Sequence, residues 1–186
     1  GCGKSTLVKI LCGLMRQKSG RVDFGYNVEL GYYDQENQNL TDTKTVLDEL
    51  WDAYPTMAER DIRSVLAQFL FRAEDVSKSV SVLSGGERAR LTLAKLMFRK
   101  MNLLILDEPT NHLDISSREA LEDALAGYDG TLIAVSHDRY FIDKLATRII
   151  TISPDGAVDF RGTYREYEQK KRAAAEGAAE VSAAAK

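Results

Sequence analysis

The chain has 186 residues, 44% of them hydrophobic and 28% charged, with a formal net charge of −3; that is enough for one domain with a real core plus a small subdomain. This balance gives no global drive toward nucleic acid or an anionic membrane, so any such contact needs a local basic patch. No apolar run could span a bilayer, no signal peptide opens the chain, and two cysteines, Cys2 and Cys12, read as reduced cytosolic thiols rather than a disulfide framework.

The first residues fall inside a motif. In the phosphate-loop pattern G-x-x-x-x-G-K-[ST], the last three places are Gly3, Lys4 and Ser5. The first glycine would lie upstream of Gly1, so a fragment lacking its N-terminal strands is expected. Lys4 to Met15 reads as the helix that follows, with Leu7, Ile10, Leu11 and Leu14 on one face. After a turn at Lys18-Ser19-Gly20, Arg21–Phe24 and Val28–Tyr33 read as short strands. Asp34–Thr43 is loop-like. Thr45–Tyr54 reads as a helix stopped by Pro55, and Met57–Phe71 as a second helix with Ile62, Val65, Leu66, Phe69 and Leu70 on its stripe. These helices are expected to form a helical subdomain, about 36–99, inserted into a core of 1–35 and 100–168.

From Ser84 the pattern alternates. A helix to about Phe98 precedes a strand at Leu103–Asp107, a helix near Ser117–Leu125 and a strand at Thr131–Val135. A helix from about Arg139 to Leu145 and a strand at Arg148–Ile152 follow. Such alternation predicts an α/β fold with a parallel sheet and right-handed crossovers. Ala157–Phe160 reads as a closing strand and Tyr164 starts a final helix. Residues 169–186 turn Ala-rich, with helix propensity but no apolar stripe, and read as a linker or C-terminal tail.

Three stretches carry chemistry. Gly1-Cys2-Gly3-Lys4-Ser5-Thr6 enters a helix start, where bare N–H groups and the helix dipole hold phosphate oxygens. There the Lys4 ammonium would neutralise β/γ charge and the Ser5 hydroxyl ligate Mg²⁺. Leu103–Asp107 is an apolar strand ending in two carboxylates. Asp107 there is costly unless paired or near a metal, so Mg²⁺ is its natural partner, and Glu108 is placed to activate the attacking water. A pair that merely caps the next turn is the plainer alternative. Ser84-Gly85-Gly86-Glu87 forms a second anion-binding helix start. One γ-phosphate rarely needs two cradles, so this face is expected to serve nucleotide held by another module. Gln35, just after the Tyr32-Tyr33 strand, could touch Mg²⁺ and water, although spacing alone favours a solvated glutamine. His137, following Ser136, could bond the γ-phosphate.

Phosphate loop, Gln35, LSGGE, LLILDE, the Asp114 turn and His137 together resemble an ABC-type ATPase module in the right order. Finer stretches resemble the ABC-F family: Asp107-Glu108-Pro109-Thr110-Asn111-His112-Leu113-Asp114, Val135-Ser136-His137-Asp138-Arg139-Tyr140-Phe141 and Arg161-Gly162-Thr163-Tyr164. The similarity runs from Gly1 to about Tyr167, and Glu87-Arg88-Ala89-Arg90-Leu91 looks more like the second module of the tandem than the first. The resemblance implies a P-loop NTPase with an ABC-type sheet and an inserted helical subdomain, hydrolysing ATP with Mg²⁺. It implies Lys4 and Ser5 on phosphate and Mg²⁺, Gln35 as sensor and Mg²⁺ contact, and Asp107 as the Mg²⁺ carboxylate. Glu108 becomes the base, His137 the γ-phosphate switch, Asp114 the inter-module residue and Ser84 to Gly86 the contact to the opposite module's ATP. Its partners would be a second ABC module and the ribosome, through rRNA and tRNA, in the cytoplasm, with effects on translation or antibiotic resistance. The rival is the ATPase subunit of a membrane transporter, against which the His112 turn and the Tyr164–Tyr167 ending argue.

Overall fold

The computed structural model describes residues 3–34, 39–99, 101–153 and 156–184. Gly1, Cys2 and Gln35 lie outside the described residues. The chain gathers into two compact units, one of Ser5–Ser136 and one of Gly1–Lys4 with His137–Lys186.

The larger unit is built on a parallel sheet in the order β1 (Leu30–Asp34), β2 (Leu103–Asp107), β3 (Thr131–Val135). The register sets Asp34, Asp107 and Val135 side by side, so the three strands end at one level. In β2, Leu104 to Asp107 are all buried, as the centre of a sheet covered on both faces demands. Helix α1 (Lys4–Leu11) precedes β1. It stops short of the expected Met15 because Gly13 takes φ 71°. The Gly13 amide donates to Ile10 and that of Leu14 to Lys9, the left-handed glycine end that closes many helices. Arg21–Phe24 forms no strand. Pairing with β2 begins only where the Glu29 carbonyl accepts from Asn102 and Leu103, so the earlier residues have no ladder partner.

Between β1 and β2 lie α2 (Val46–Trp51), α3 (Glu59–Gln68), a 3-10 turn at Val80–Val82 and α4 (Gly85–Phe98). Val46 and Leu50 of α2, Ile62 and Leu66 of α3, and Leu91 and Leu93 of α4 are fully buried, so the apolar stripes form one core. Helix α4 also packs on β1, tying the helices to the sheet. The first unit ends with α5 (Ile115–Ala126) and β3.

In the smaller unit, α6 (Arg139–Leu145) leads to β4 (Arg148–Ser153) and β5 (Gly156–Arg161), an antiparallel pair. Among the described residues β4 therefore lies in a two-stranded sheet of its own, not in the parallel sheet that the alternation predicts. Helix α7 (Tyr164–Ala184) carries the Ala-rich stretch as continuous helix. Its start is fixed by Phe160 and Tyr167 rings 5.7 Å apart and by an Arg165–Asp143 pair at 2.7 Å to α6.

Candidate functional site

The end of β2 holds a buried acceptor left open among the described residues. Asp107 is only 8% exposed, and its Oδ1 is buried without a hydrogen-bond partner among the described residues. A buried acceptor left unmade costs about 1–3 kcal/mol, more when charged. Its neighbours feel that charge. Burial first, then Asp107, pushes the Cys12 thiol up to about 11. The Tyr32 hydroxyl is raised by burial first and then by Asp34 and Asp107. A cation suits this vacant acceptor. Among the described residues no cluster of three His, Cys, Asp or Glu surrounds a common point; a cation that keeps waters and phosphate oxygens in its shell, as Mg²⁺ does, would need only this one carboxylate oxygen.

Glu108 follows with φ 48°, a left-handed conformation that a glutamate adopts only when its surroundings impose it. Its amide is held by the Val135 carbonyl at 2.8 Å, and buried Pro109 and Thr110 follow. The kink breaks the alternation of β2 and turns the second carboxylate out of the strand. The chain then runs through His112, at φ 61°, to Asp114, the N-cap of α5. Asp114 Oδ1 accepts from the Ser117 amide at 2.7 Å and the Ser116 hydroxyl at 3.1 Å. The Ser117 hydroxyl and amide hold its carboxyl below the usual carboxylate range.

Ser84 caps α4 in a reciprocal box. Its Oγ accepts from the Glu87 amide at 3.3 Å, while Glu87 Oε2 accepts from the Ser84 amide at 2.8 Å and hydroxyl at 2.7 Å. These bonds lower the Glu87 carboxyl from its ordinary value. Glu87, which a plain cap leaves unexplained at the level of sequence, is thus part of the cap. The two glycines differ. A Cβ on Gly86 would come within 3.3 Å of the His112 carbonyl oxygen, so that glycine serves close packing inside the unit. A Cβ on Gly85 would meet nothing within 4 Å, so no described residue requires a glycine there.

In the smaller unit the structure joins two residues 133 positions apart: Lys4 Nζ lies 3.3 Å from His137 Nε2. An ammonium only donates, so in this contact Nε2 takes the acceptor role. Gly3, just before, has φ 87°, which glycine adopts freely. Ser5 and Thr6 are exposed at the start of α1.

Sequence reasoning missed two features. Glu49 on α2 is 1% exposed and pairs with Lys95 on α4; no local pattern announces a partner 46 residues away. Arg90 lies 5.4 Å from the Phe71 ring centre and donates to Ser117 Oγ at 3.0 Å. Its place one turn after Glu87 was the only available signal.

Comparison with known proteins bears on both units. Residues 1–111 match the protein family described as ABC transporter. The ATP-binding protein YdiF of Bacillus subtilis (strain 168) is 55% identical over 171 residues, covering 92% of this chain and 27% of that protein. ABC transporter F family member 5 of Arabidopsis thaliana is 45% identical, covering 91% of this chain and 25% of its own length. The energy-dependent translational throttle protein EttA of Escherichia coli O6:H1 is 41% identical, covering 92% and 32%. The chain thus spans about a quarter to a third of these relatives.

Proposed function

From the ABC transporter family, to which this chain belongs as an ATP-binding module of the F type, we propose a more specific role: it is one half of a composite ATPase acting on the ribosome. The observation that carries the hydrolytic reading is Asp107, a buried carboxylate oxygen with no hydrogen-bond partner among the described residues, at the end of a parallel sheet. In such sheets ligands sit beyond the carboxyl ends of the strands.

In this reading Lys4, the amides around Gly3 and the Ser5 hydroxyl take the phosphates. Asp107 and Ser5 would hold Mg²⁺, which when bound would neutralise phosphate charge. Glu108, turned out of its strand, accepts the proton of the attacking water. His137 Nε2 faces the Lys4 ammonium at 3.3 Å; phosphate would compete for the same ammonium. Gln35 would sense the γ-phosphate.

The composite character rests on Gly85, bare yet uncrowded. A second ABC module would bring its ATP to Ser84–Gly86 and meet Asp114. Exposed Val82 and Ile115, close in sequence to these two points, supply apolar contact for the facing surface. ATP would hold the two modules closed and hydrolysis release them, converting binding energy into a ribosome-bound lifetime. The similarity to EttA, named an energy-dependent translational throttle protein, supports translation as the setting.

The test is Glu108→Gln in the intact protein that carries this module. It should bind ATP, remain closed and cease turning over; ordinary multiple turnover would overturn the catalytic assignment. Co-sedimentation with ribosomes in ATP supports the proposed partner. Co-purification with a membrane protein instead would move the chain to the transporter reading; among the described residues no helix is long and apolar enough to cross a membrane.

A further inference from the structure

The tip at Ser84–Gly86 and the turn at Asn111–Asp114 are separate in sequence but are built against each other. Gly86 lets α4 approach the His112 carbonyl so closely that a Cβ would sit 3.3 Å from it. One turn along α4, Arg90 Nη1 donates to Ser117 Oγ at 3.0 Å, and the Ser117 amide donates to Asp114 at 2.7 Å. Ser117 is 2% exposed, so water does not compete for these bonds.

We propose that Arg90 is a positioning residue that locks the Ser84–Gly86 tip to the Asp114 turn through Ser117, so that both reach the facing module as one rigid piece. This rests on the composite-site reading. Packing alone does not explain the arginine. Its Nε is buried without a hydrogen-bond partner among the described residues, a cost that an apolar side chain against Phe71 would avoid. What an apolar side chain would lose is the directed bond to Ser117 and, through it, the orientation of Asp114. Lysine can reach with one charge but cannot reproduce the planar stacking and the fork.

The experiment uses the intact protein, with kcat at saturating ATP and nucleotide affinity measured separately. Arg90→Met and Asp114→Ala should each lower kcat about tenfold, and the double variant should fall no further, because contacting residues of one network are not additive. ATP affinity should stay within about twofold, since neither residue lies in the phosphate loop. Ser117→Ala should reproduce the loss, and Arg90→Lys should recover only part of it. If Arg90→Met folds poorly, Ser117→Ala and Arg90→Lys decide. Unchanged kcat in these variants, or losses that multiply in the double, would overturn the inference. Ser84→Arg separates the two levels. If it leaves turnover intact, the composite site itself fails; if it abolishes turnover while the Arg90 and Ser117 variants do not, only the lock fails.

Discussion

The end of β2 and the start of α4 are both expected to touch nucleotide, yet they are opposite kinds of structure. At β2 a buried carboxylate oxygen has no hydrogen-bond partner among the described residues and the next residue is held at φ 48°. At α4 the box between Ser84 and Glu87 satisfies both of its members. The first region keeps unsatisfied potential for a ligand; the second is finished and stiff before anything arrives. This is the division expected when one surface performs chemistry and the other only presents donors to chemistry held elsewhere.

The largest effect should come from the unsatisfied region. Glu108→Gln removes the proposed base and should lower kcat by about 10³-fold with ATP binding retained. Glu87→Gln at the finished region keeps the box, because glutamine can accept the same bonds, and should leave kcat nearly unchanged. Similar losses in both variants, read by phosphate release, would erase the distinction.

Next in size is a chemical probe of the Asp107 charge. With the thiol pushed up to about 11 from 9.0, Cys12 should be alkylated at pH 8 about 100-fold more slowly than an ordinary cysteine, since the thiolate is the nucleophile. Burial is the larger cause, so Asp107→Asn should restore only part of the rate. Mass spectrometry of the Cys12 peptide reads both. A rate equal to that of a free thiol would show that neither burial nor Asp107 acts on Cys12, and an unchanged rate in Asp107→Asn would show that burial acts alone.

Stability sharpens the contrast by sign. Ser84→Ala should destabilise by about 1 kcal/mol through loss of the cap. Asp107→Asn should instead stabilise the nucleotide-free protein by about 1 kcal/mol, because it replaces a carboxylate whose Oδ1 is buried with no hydrogen-bond partner among the described residues. Denaturant midpoints at constant slope check both, and a loss of stability on Asp107→Asn would mean that the carboxylate has a hidden structural partner.

Much of this was legible in the sequence, for reasons that can be traced. Strands β2 and β3 and helix α6 begin and end where their apolar runs and turn residues put them, since each is short and sharply bounded. Helix α1 overran only because Leu14 extends the stripe past Gly13, and a glycine that can take φ 71° outweighs one more apolar position. Arg21–Phe24 has strand chemistry but no partner, and pairing is not a local property. The motifs named Asp107, Glu108 and Ser84 but could not say which carboxylate is bonded. Glu87 is engaged by its own helix start, Glu49 by a lysine on another helix, and Asp107 Oδ1 by no described residue. Those states depend on contacts between elements, as does Arg90, whose sequence neighbours give no hint of Ser117.

The smallest expected effect concerns acid. The Glu87 carboxyl is lowered from 4.5 by the Ser84 hydroxyl and amide, and that of Asp114 from 3.8 by Ser117. Both groups bind protons more weakly folded than unfolded, so their contribution is complete above the ordinary carboxylate range and disappears as pH falls through the folded values. Stability should therefore be flat from neutrality to about pH 5 on their account, then decline. For Glu87 the charge part should be about 0.5 kcal/mol, modest because the group is partly solvated. Glu87→Gln should lie below the parent at pH 7 by that amount and converge with it near pH 3. Parallel curves at all pH values would mean that the Glu87 charge adds nothing to the cap, and the finished character of the tip would then rest on hydrogen-bond geometry alone.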